Sequence, residues 1–214
     1  MDIVKLTSLH GFDILDDSGR VFRGGDQHWY TSGGFIKEAA CGATTCSNIM
    51  SYLLRTRTEI AAGYAETGRL GEKGAFVRFM EMVYPFVHPR AGGLMADYFV
   101  SGTQELARSL GISARITRHQ VPVRRSGRPG AREAGAFLCE SLKQDIPAAF
   151  LILSNGSVPK LDTWHWVTIT AVEPDTLRAQ ILDNGQLFWA DLARWLETSL
   201  IGGSFVCLSD VKPV

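Results

Sequence analysis

Apolar residues between positions 41 and 57 recur with the spacing of one face of an α-helix. They follow the i, i+3, i+4, i+7, i+8 pattern: Cys46, Ile49, Met50, Leu53 and Leu54. Cys41 begins this segment and, at about 100° per residue, lies well off that apolar stripe. The sequence therefore predicts a helix from Cys41 to about Arg57, with the Cys46 side chain in the core and the Cys41 side chain outside it.

The second half of the chain has the apolar runs and alternation of β-strands. The predicted strands are 148–153, 164–172 and 177–183, with a turn at 173–176. If the apolar faces match so that Val167 lies opposite Ile181, then His165 lies opposite Asp183 on the same side of the sheet. A shift of one residue in register would place Asn184 opposite His165 instead. The matched faces favour Asp183 as the partner and leave Asn184 as the alternative.

Turn-forming residues and shorter periodic segments predict the remaining elements. They are a strand pair over 3–23 that turns at 16–19, a glycine-rich loop over 24–40, a mostly helical region over 58–110 that ends in a helix at 104–111, a strand over 113–117, and a helix over 132–143. Residues 118–132 are basic and rich in Pro and Gly, which predicts irregular structure. This basic stretch is interpreted either as a lid over an acidic substrate or as a mobile solvated loop.

Together these elements predict the α+β class, with a helical half over about 38–111 and a β-rich half over about 112–214. The length of 214 residues suits a single domain with a sizeable core. The apolar fraction of 45% and the charged fraction of 21% are those of an ordinary soluble protein. The formal net charge is zero, so neither nucleic acid nor a membrane surface is expected as a partner.

The cysteines and the N-terminal residues bear on the compartment. Four cysteines in a chain of this length do not suggest a disulfide framework, so we expect reduced thiols. No apolar run approaches the roughly 20 residues that span a bilayer, and residues 1–5 lack the pattern of a secretory signal. The expectation is a cytoplasmic protein, with export by a route that needs no signal peptide left open.

Three separated residues have the chemistry of a nucleophilic site. Cys41 stands at a predicted helix N-terminus, where the helix dipole favours a thiolate. A carboxylate next to a histidine ring fixes its tautomer and stabilises the imidazolium, as Asp183 would do for His165. The alternatives are that Cys41 is merely a small half-buried residue and that His165 is a core histidine satisfied by an acidic neighbour.

The motifs resemble those of papain-like cysteine peptidases, in particular the group related to the bacteriocin-processing, double-glycine-leader peptidases. The resemblance rests on Cys41-Gly42 opening a helix, Pro147 preceding an apolar strand, His165-Trp166-Val167 opening a strand and Ile181-Leu182-Asp183 closing the next. It implies a papain-like fold in which the nucleophile, at a helix N-terminus, packs on an antiparallel sheet. It also implies Cys41 as nucleophile, His165 as general base and then acid, and Asp183 as the residue that orients the imidazole.

The resemblance extends to the oxyanion site and the substrate. The family uses a glutamine upstream of the cysteine to hold the oxyanion, and Gln27 is the candidate here. Gln27 lies farther from Cys41 than the family's glutamine does, a difference that an insertion over 30–37 would absorb. Asn184-Gly185 stands where the family frequently has proline, which keeps Asn184 open as the orienting residue.

A peptide or protein is the implied substrate, and no cofactor is implied. Tryptophans near the predicted site are candidates to line a peptide groove, with plain core packing as the alternative: Trp29, Trp164 and Trp166. A metal site is not expected, because the spacing of Cys41 and Cys46 is uncommon for zinc and their directions diverge on a helix. No ATP-binding or transmembrane portion is recognised, so a peptide-exporting role is not expected.

Two other functional classes remain open from the sequence. The same three residues serve acyltransferases, transglutaminase-like enzymes and amidases, which differ in the group that accepts the acyl chain. A papain-like scaffold retained as a binding module would carry the same motifs without turnover. The oligomeric state is left open.

Overall fold

The computed structural model describes residues 2–31, 33–90 and 93–214, and it has the α+β class that the sequence predicts. The strands are β1 (Val4–Lys5), β2 (Asp13–Leu15), β3 (Val21–Arg23), β4 (Ile112–Val121), β5 (Ala148–Ile152), β6 (His165–Glu173), β7 (Arg178–Asp183), β8 (Gln186–Asp191) and β9 (Gly203–Pro213). The helices are α1 (Phe35–Ala39), α2 (Cys41–Thr56), α3 (Lys73–Val83), α4 (Ala96–Ser109), α5 (Ala131–Leu142) and α6 (Leu192–Thr198). Short 3-10 turns lie between them.

A seven-stranded antiparallel sheet forms the centre of the fold. Its strand order is β4-β9-β5-β6-β7-β8, and β1 pairs with β6 beside this path. Strands β2 and β3 form a separate hairpin. Because β5 lies in the middle of the sheet and every one of its residues is buried, it reads in the sequence as a continuous apolar run.

Helices cover both faces of the sheet. Successive strand residues point to opposite faces, so Ala149, Leu151 and Trp166 pack with α2, α3 and α4. Phe150 and Val167 pack on the other face with residues of α5 and α6. Two apolar clusters therefore flank the sheet, and the first of them contains the start of α2.

Helix α2 runs through the middle of the first cluster. Its predicted bounds are confirmed, and every residue from Cys41 to Leu54 is buried. The expectation that Cys41 lies outside the core is wrong, because Cys41 is 9% exposed and belongs to the same cluster as Cys46. The sheet, α3 and α4 all contact α2. Burial of this helix is therefore not limited to one apolar stripe.

Most of the other predicted elements are confirmed, and the structure differs from the prediction in several places. The hairpin that turns at 16–19, the helix near 132–143 and the strands near 148–153, 164–172 and 177–183 are present. Helix α4 starts well before residue 104, helix α1 lies within the predicted loop 24–40, and strands β8 and β9 were not predicted. Residues 118–121 form part of β4 rather than a loop, because pairing with β9 satisfies their backbone groups.

Arginine side chains fasten the basic stretch 118–132. Arg118 forms an ion pair with Asp97. The Arg128 guanidinium donates to four backbone carbonyls, those of Pro122, Val123, Leu196 and Ser199. Arg128 therefore ties the stretch to α6 and the loop after it, and four of the five N–H donors of its guanidinium are already occupied.

None of the helices in the described ranges combines the length and the apolarity needed to cross a membrane.

Candidate active site

Cys41 is the first residue of α2 and lies on the wall of a cleft of about 630 Å³. Ala40, at the N-cap, has no polar side chain with which to cap the first turn. The positive end of the helix dipole can therefore interact with a negatively charged group at this place. The lining of the cleft is largely apolar, and its charged residues are Glu38 and Arg90. The full lining is Glu38, Ala39, Cys41, Pro89, Arg90, Gly93, Leu94, Met95, Leu151, Trp164 and Trp166. The thiol is thus buried, but it borders a space large enough for a peptide side chain.

The cleft wall is held by contacts between α2, β6 and the loop before α4. The Trp166 indole donates from Nε1 to the Leu94 carbonyl over 2.8 Å and stacks on Phe99 at 4.1 Å between ring centres. The Leu94 side chain in turn lies directly over Gly42. A Cβ atom added at Gly42 would stand 2.1 Å from Leu94 Cδ2 and 3.2 Å from Trp166 Cδ1. A side chain at position 42 would therefore force the Leu94 side chain to move, which makes glycine the residue that fits beside Cys41.

We expect Gly42→Ala to destabilise the protein by about 1–3 kcal/mol, because the new methyl group overpacks the wall formed by Leu94 and Trp166. The matched control is Gly74→Ala in α3. There the added Cβ has space around it, and we expect a change from zero to a gain of about 1 kcal/mol. Urea unfolding of both variants measures the difference. Equal stabilities for the two variants would contradict the packing described here.

His165 and Asp183 meet where β6 begins and β7 ends. His165 Nε2 lies 2.9 Å from Asp183 Oδ1, and both side chains are largely buried. The contact leaves Nδ1 as the ring nitrogen available to the thiol. A carboxylate in this position fixes the tautomer and the orientation of the imidazole.

The register of β6 and β7 differs from the predicted one by two residues. Ile169, not Val167, lies opposite Ile181, and a bulge follows between Ile169 and Ala171. A shift of two residues keeps every side chain on its face, since the period of a strand is two. Asp183 thus reaches His165 as a diagonal neighbour, whereas the direct pairing predicted from matched apolar faces was wrong.

The pKa of His165 is set by opposing effects. Burial lowers it, but the hydrogen bond and the charge of Asp183, together with those of Cys41, outweigh burial and raise it from 6.5 to about 10. The thiol of Cys41 therefore lies close enough to the ring to act on its proton. The imidazole is held in its protonated form at neutral pH by one group on each side.

Among the described residues, the hydrogen bond of Asn184 goes to Gln27 rather than to the ring of His165, so Asn184 holds a different part of the site. It is the first residue of the two-residue turn between β7 and β8, and its Oδ1 accepts from the backbone N–H of Gln27 over 3.2 Å. The one-residue slip that would have placed Asn184 beside His165 does not occur. The contacts of Asn184 therefore do not support its alternative role as the residue that orients His165.

Gln27 begins a 3-10 turn, Gln27–Trp29, that packs next to the start of α2. Tyr30 belongs to one apolar cluster with Ala40 and Ala43, and α1 contacts the turn. The Gln27 side chain is 7% exposed, and its Oε1 has no hydrogen-bond partner among the described residues. The insertion expected over 30–37 contains the start of α1, and Ser32 within it lies outside the described residues.

The three tryptophans predicted to line a groove have different surroundings. Trp164 and Trp166 line the cleft, although Trp166 is mostly core. Trp29 lies in a separate cluster, where its ring packs edge-on against Phe22 and Phe76. Trp164 is 56% exposed and has a φ of 57°, a left-handed conformation that is costly for a bulky residue. This strain is stored directly before His165.

Asp162 is a further acidic residue at the site that the sequence did not point to. Its carboxylate, the His165 ring and the Asp183 carboxylate offer ligand atoms that all lie within 4.8 Å of one another, the single such group found in the described residues. A metal ion there would have to displace the proton that His165 holds, since only neutral imidazole binds a metal. Asp162 follows no strand or helix pattern, so only the folded chain reveals it.

Cys46 provides a contrast with Cys41 within one helix. Its side chain is fully buried, its Sγ lies 3.5 Å from the Thr103 hydroxyl, and burial raises the pKa of the thiol to about 12. Such a thiol stays protonated and inert.

Comparisons with known proteins place few constraints on the chain. Its sequence matches no known family and no curated protein. Among solved structures, the fold is similar to the crystal structure of a double glycine motif protease from an AMS/PCAT transporter in complex with the leader peptide. The identity is 14%, the match covers 81% of this chain and 84% of that chain, and the TM-score is 0.42.

Proposed function

We propose that the protein is a cysteine peptidase on a papain-like fold spanning residues 1–214, with Cys41 as nucleophile, His165 as general base and acid, and Asp183 as the orienting residue. The observation that carries the proposal is that a single imidazole interacts with a carboxylate through Nε2 and with a helix-start thiol, at the wall of a cleft. Nucleophile, base and orienting group in hydrogen-bond reach are the signature of covalent acyl transfer.

In the proposed mechanism the reactive form pairs a Cys41 thiolate with the His165 imidazolium, whose raised pKa keeps the ring protonated. The thiolate attacks an amide carbonyl to form a tetrahedral oxyanion, which then collapses to a thioester and an amine. Bonding of the sulfur to carbon removes its charge, and with it a contribution that raises the pKa of His165. The imidazolium thus becomes a better acid at the moment it protonates the leaving amine. Water then attacks the thioester carbonyl while His165 takes its proton, and the sulfur leaves as a thiolate, which releases the acid and restores the ion pair.

The oxyanion is stabilised by the backbone N–H of Cys41 at the start of α2 and by the side-chain amide of Gln27. A helix N-terminus supplies unpaired N–H donors and a favourable dipole. Removing one such donor commonly lowers kcat by about 10²–10³-fold. The apolar cleft, with Trp164 exposed at its edge, suits an extended peptide that places a side chain beside Cys41.

Labelling with an electrophilic peptide probe tests this proposal. We expect the probe to modify wild type at Cys41, located by mass spectrometry, and to leave Cys41→Ala unlabelled. Loss of the base in His165→Ala should slow labelling strongly. The matched control is Cys46→Ala, which removes an inert thiol of the same helix and should label like wild type.

Two results would overturn the assignment. Labelling that survives in Cys41→Ala but disappears in Cys46→Ala would show that Cys46, and not Cys41, is the nucleophile. A Cys41 thiol that reacts with iodoacetamide no faster than a free thiol at neutral pH would favour a binding module.

Partition of the acyl-enzyme between water and an added amine separates a peptidase from a transferase. Peptidase function requires that hydrolysis by water dominates over transfer to the amine.

A further inference from the structure

Segment 23–27, which carries Gln27, is anchored by its backbone at four points, one of which is the Gly24 N–H, which donates to the Phe12 carbonyl over 2.8 Å. The Gly25 N–H donates to Asn48 Oδ1 over 2.8 Å, and the Arg23 N–H donates to the Gly185 carbonyl over 3.0 Å. The Gln27 N–H itself donates to Asn184 Oδ1. Asn48 belongs to α2, whereas Gly185 and Asn184 form the turn between β7 and β8. The segment is thus held between the helix of Cys41 and the hairpin of Asp183.

Asn184 occupies a conformation that few residues adopt without cost. Its φ is 43° and that of Gly185 is 75°, while Asp183 and Gln186 pair across the turn. Two successive positive φ values in a two-residue hairpin loop indicate a type I′ turn, for which Asn-Gly is a favoured pair. The backbone of Asn184 therefore closes the hairpin that presents Asp183, and its carboxamide is left to accept from Gln27.

The anchoring matters because Gln27 does not fix its own side chain fully. Its Oε1 is buried without a partner among the described residues, so that atom adds no restraint. The location of the amide is then set by the backbone of segment 23–27 and by packing. Of the anchors, the Asn184 hydrogen bond is the one made by Gln27 itself.

We propose that Asn184 is a positioning residue that fixes Gln27 relative to the His165–Asp183 pair. This inference rests on the proposed function. Asp183 orients the imidazole, and the adjacent side chain holds the residue that meets the oxyanion. One tight turn thereby sets the geometry between the general base and an oxyanion donor, which must agree closely in the transition state.

Steady-state kinetics of turn variants tests the inference. Asn184→Gly keeps the left-handed turn but removes the acceptor, and we expect kcat to fall about tenfold to a hundredfold with little change in KM. Asn184→Asp keeps an acceptor oxygen and tolerates the same conformation, so it should recover most of the kcat. The matched control is Asp210→Gly, which also has a positive φ (54°) but is exposed and lies toward the far end of β9; it should not change kcat.

A double-mutant comparison tests whether Asn184 acts through Gln27. If it does, Asn184→Gly combined with Gln27→Ala should have the kcat of Gln27→Ala alone. In Asn184→Gly, hydrogen exchange of the Gln27 amide should accelerate, while the NMR titration of His165 stays at its wild-type midpoint. Neither of these last two measurements needs turnover.

Three outcomes would overturn the inference: a wild-type kcat in Asn184→Gly, losses that multiply in the double mutant, or a shifted His165 titration that places the effect on Asp183. Absence of turnover in wild type would instead overturn the proposed function, and with it the catalytic part of this inference. In that case unchanged exchange at Gln27 would overturn the anchoring as well.

Discussion

Cys41→Ala and His165→Ala are each expected to lower kcat for peptide hydrolysis by about 10⁶-fold, and the double variant is expected to be no slower than either. The reason is that the thiolate and the imidazolium act as one unit: without Cys41 there is no nucleophile, and without His165 no proton is held ready for the leaving amine. The residual rate should come from binding and from oxyanion stabilisation by the start of α2. Single-turnover kinetics with a fluorogenic peptide measures each variant.

Cys46→Ala is the control for loss of a thiol from the same helix. It should keep the wild-type kcat, because Cys46 packs against Thr103 and carries an inert thiol. Additive losses in the Cys41 and His165 double variant would indicate that the two residues serve separate steps. That result would contradict the coupled pair on which the mechanism depends.

Asp183→Ala is expected to give the second largest effect, a loss of about 10⁴-fold in kcat at neutral pH. Without the carboxylate, burial of His165 is opposed only by Cys41, so the pKa of His165 falls from about 10. Asp183→Asn should be milder, since its amide oxygen still accepts from Nε2–H, although the charge is lost. Titration of the imidazole by NMR reports the pKa directly.

The same shift predicts how stability depends on pH. Because the folded-state pKa of His165 lies above its unfolded value of 6.5, protonation of His165 stabilises the folded state fully below pH 6.5. This contribution is lost as the pH rises through about 10. The stability advantage of wild type over Asp183→Ala should therefore be larger at pH 6 than at pH 10, as measured by thermal unfolding.

Asp162→Ala is the matched control for a nearby negative charge. It removes an exposed carboxylate of the same cluster but leaves the 2.9 Å contact between His165 and Asp183. We expect a much smaller change in the His165 titration. A shift as large as that of Asp183→Ala would mean that general charge, rather than the specific hydrogen bond, holds the proton.

The strongest local patterns in the sequence were sufficient for the central elements. The α2 helix follows from apolar spacing, and β5, β6 and β7 follow from their apolar runs and alternation, because these segments each bury a large apolar surface. Strands β8 and β9 were missed. Strand β8 has weak alternation, and β9 is defined by pairing with β4 and β5 at long range.

For the candidate site, the sequence supplied the residue types and the order in which they occur along the chain. It determined that a cysteine begins α2, that a histidine begins one strand and that an acid ends the next, since each depends only on local periodicity. It also determined that His165 and Asp183 share a face, because an even register shift leaves the faces unchanged.

Only the tertiary structure decided how these parts meet. The two-residue shift with its bulge, the type of hairpin turn, the enclosure of Cys41 and the approach of Leu94 to Gly42 all depend on contacts between distant segments. The same holds for Asp162 near His165 and for Asn184 on Gln27. Local patterns set what each segment can form, whereas long-range packing selects the register and the distances on which chemistry at this site depends.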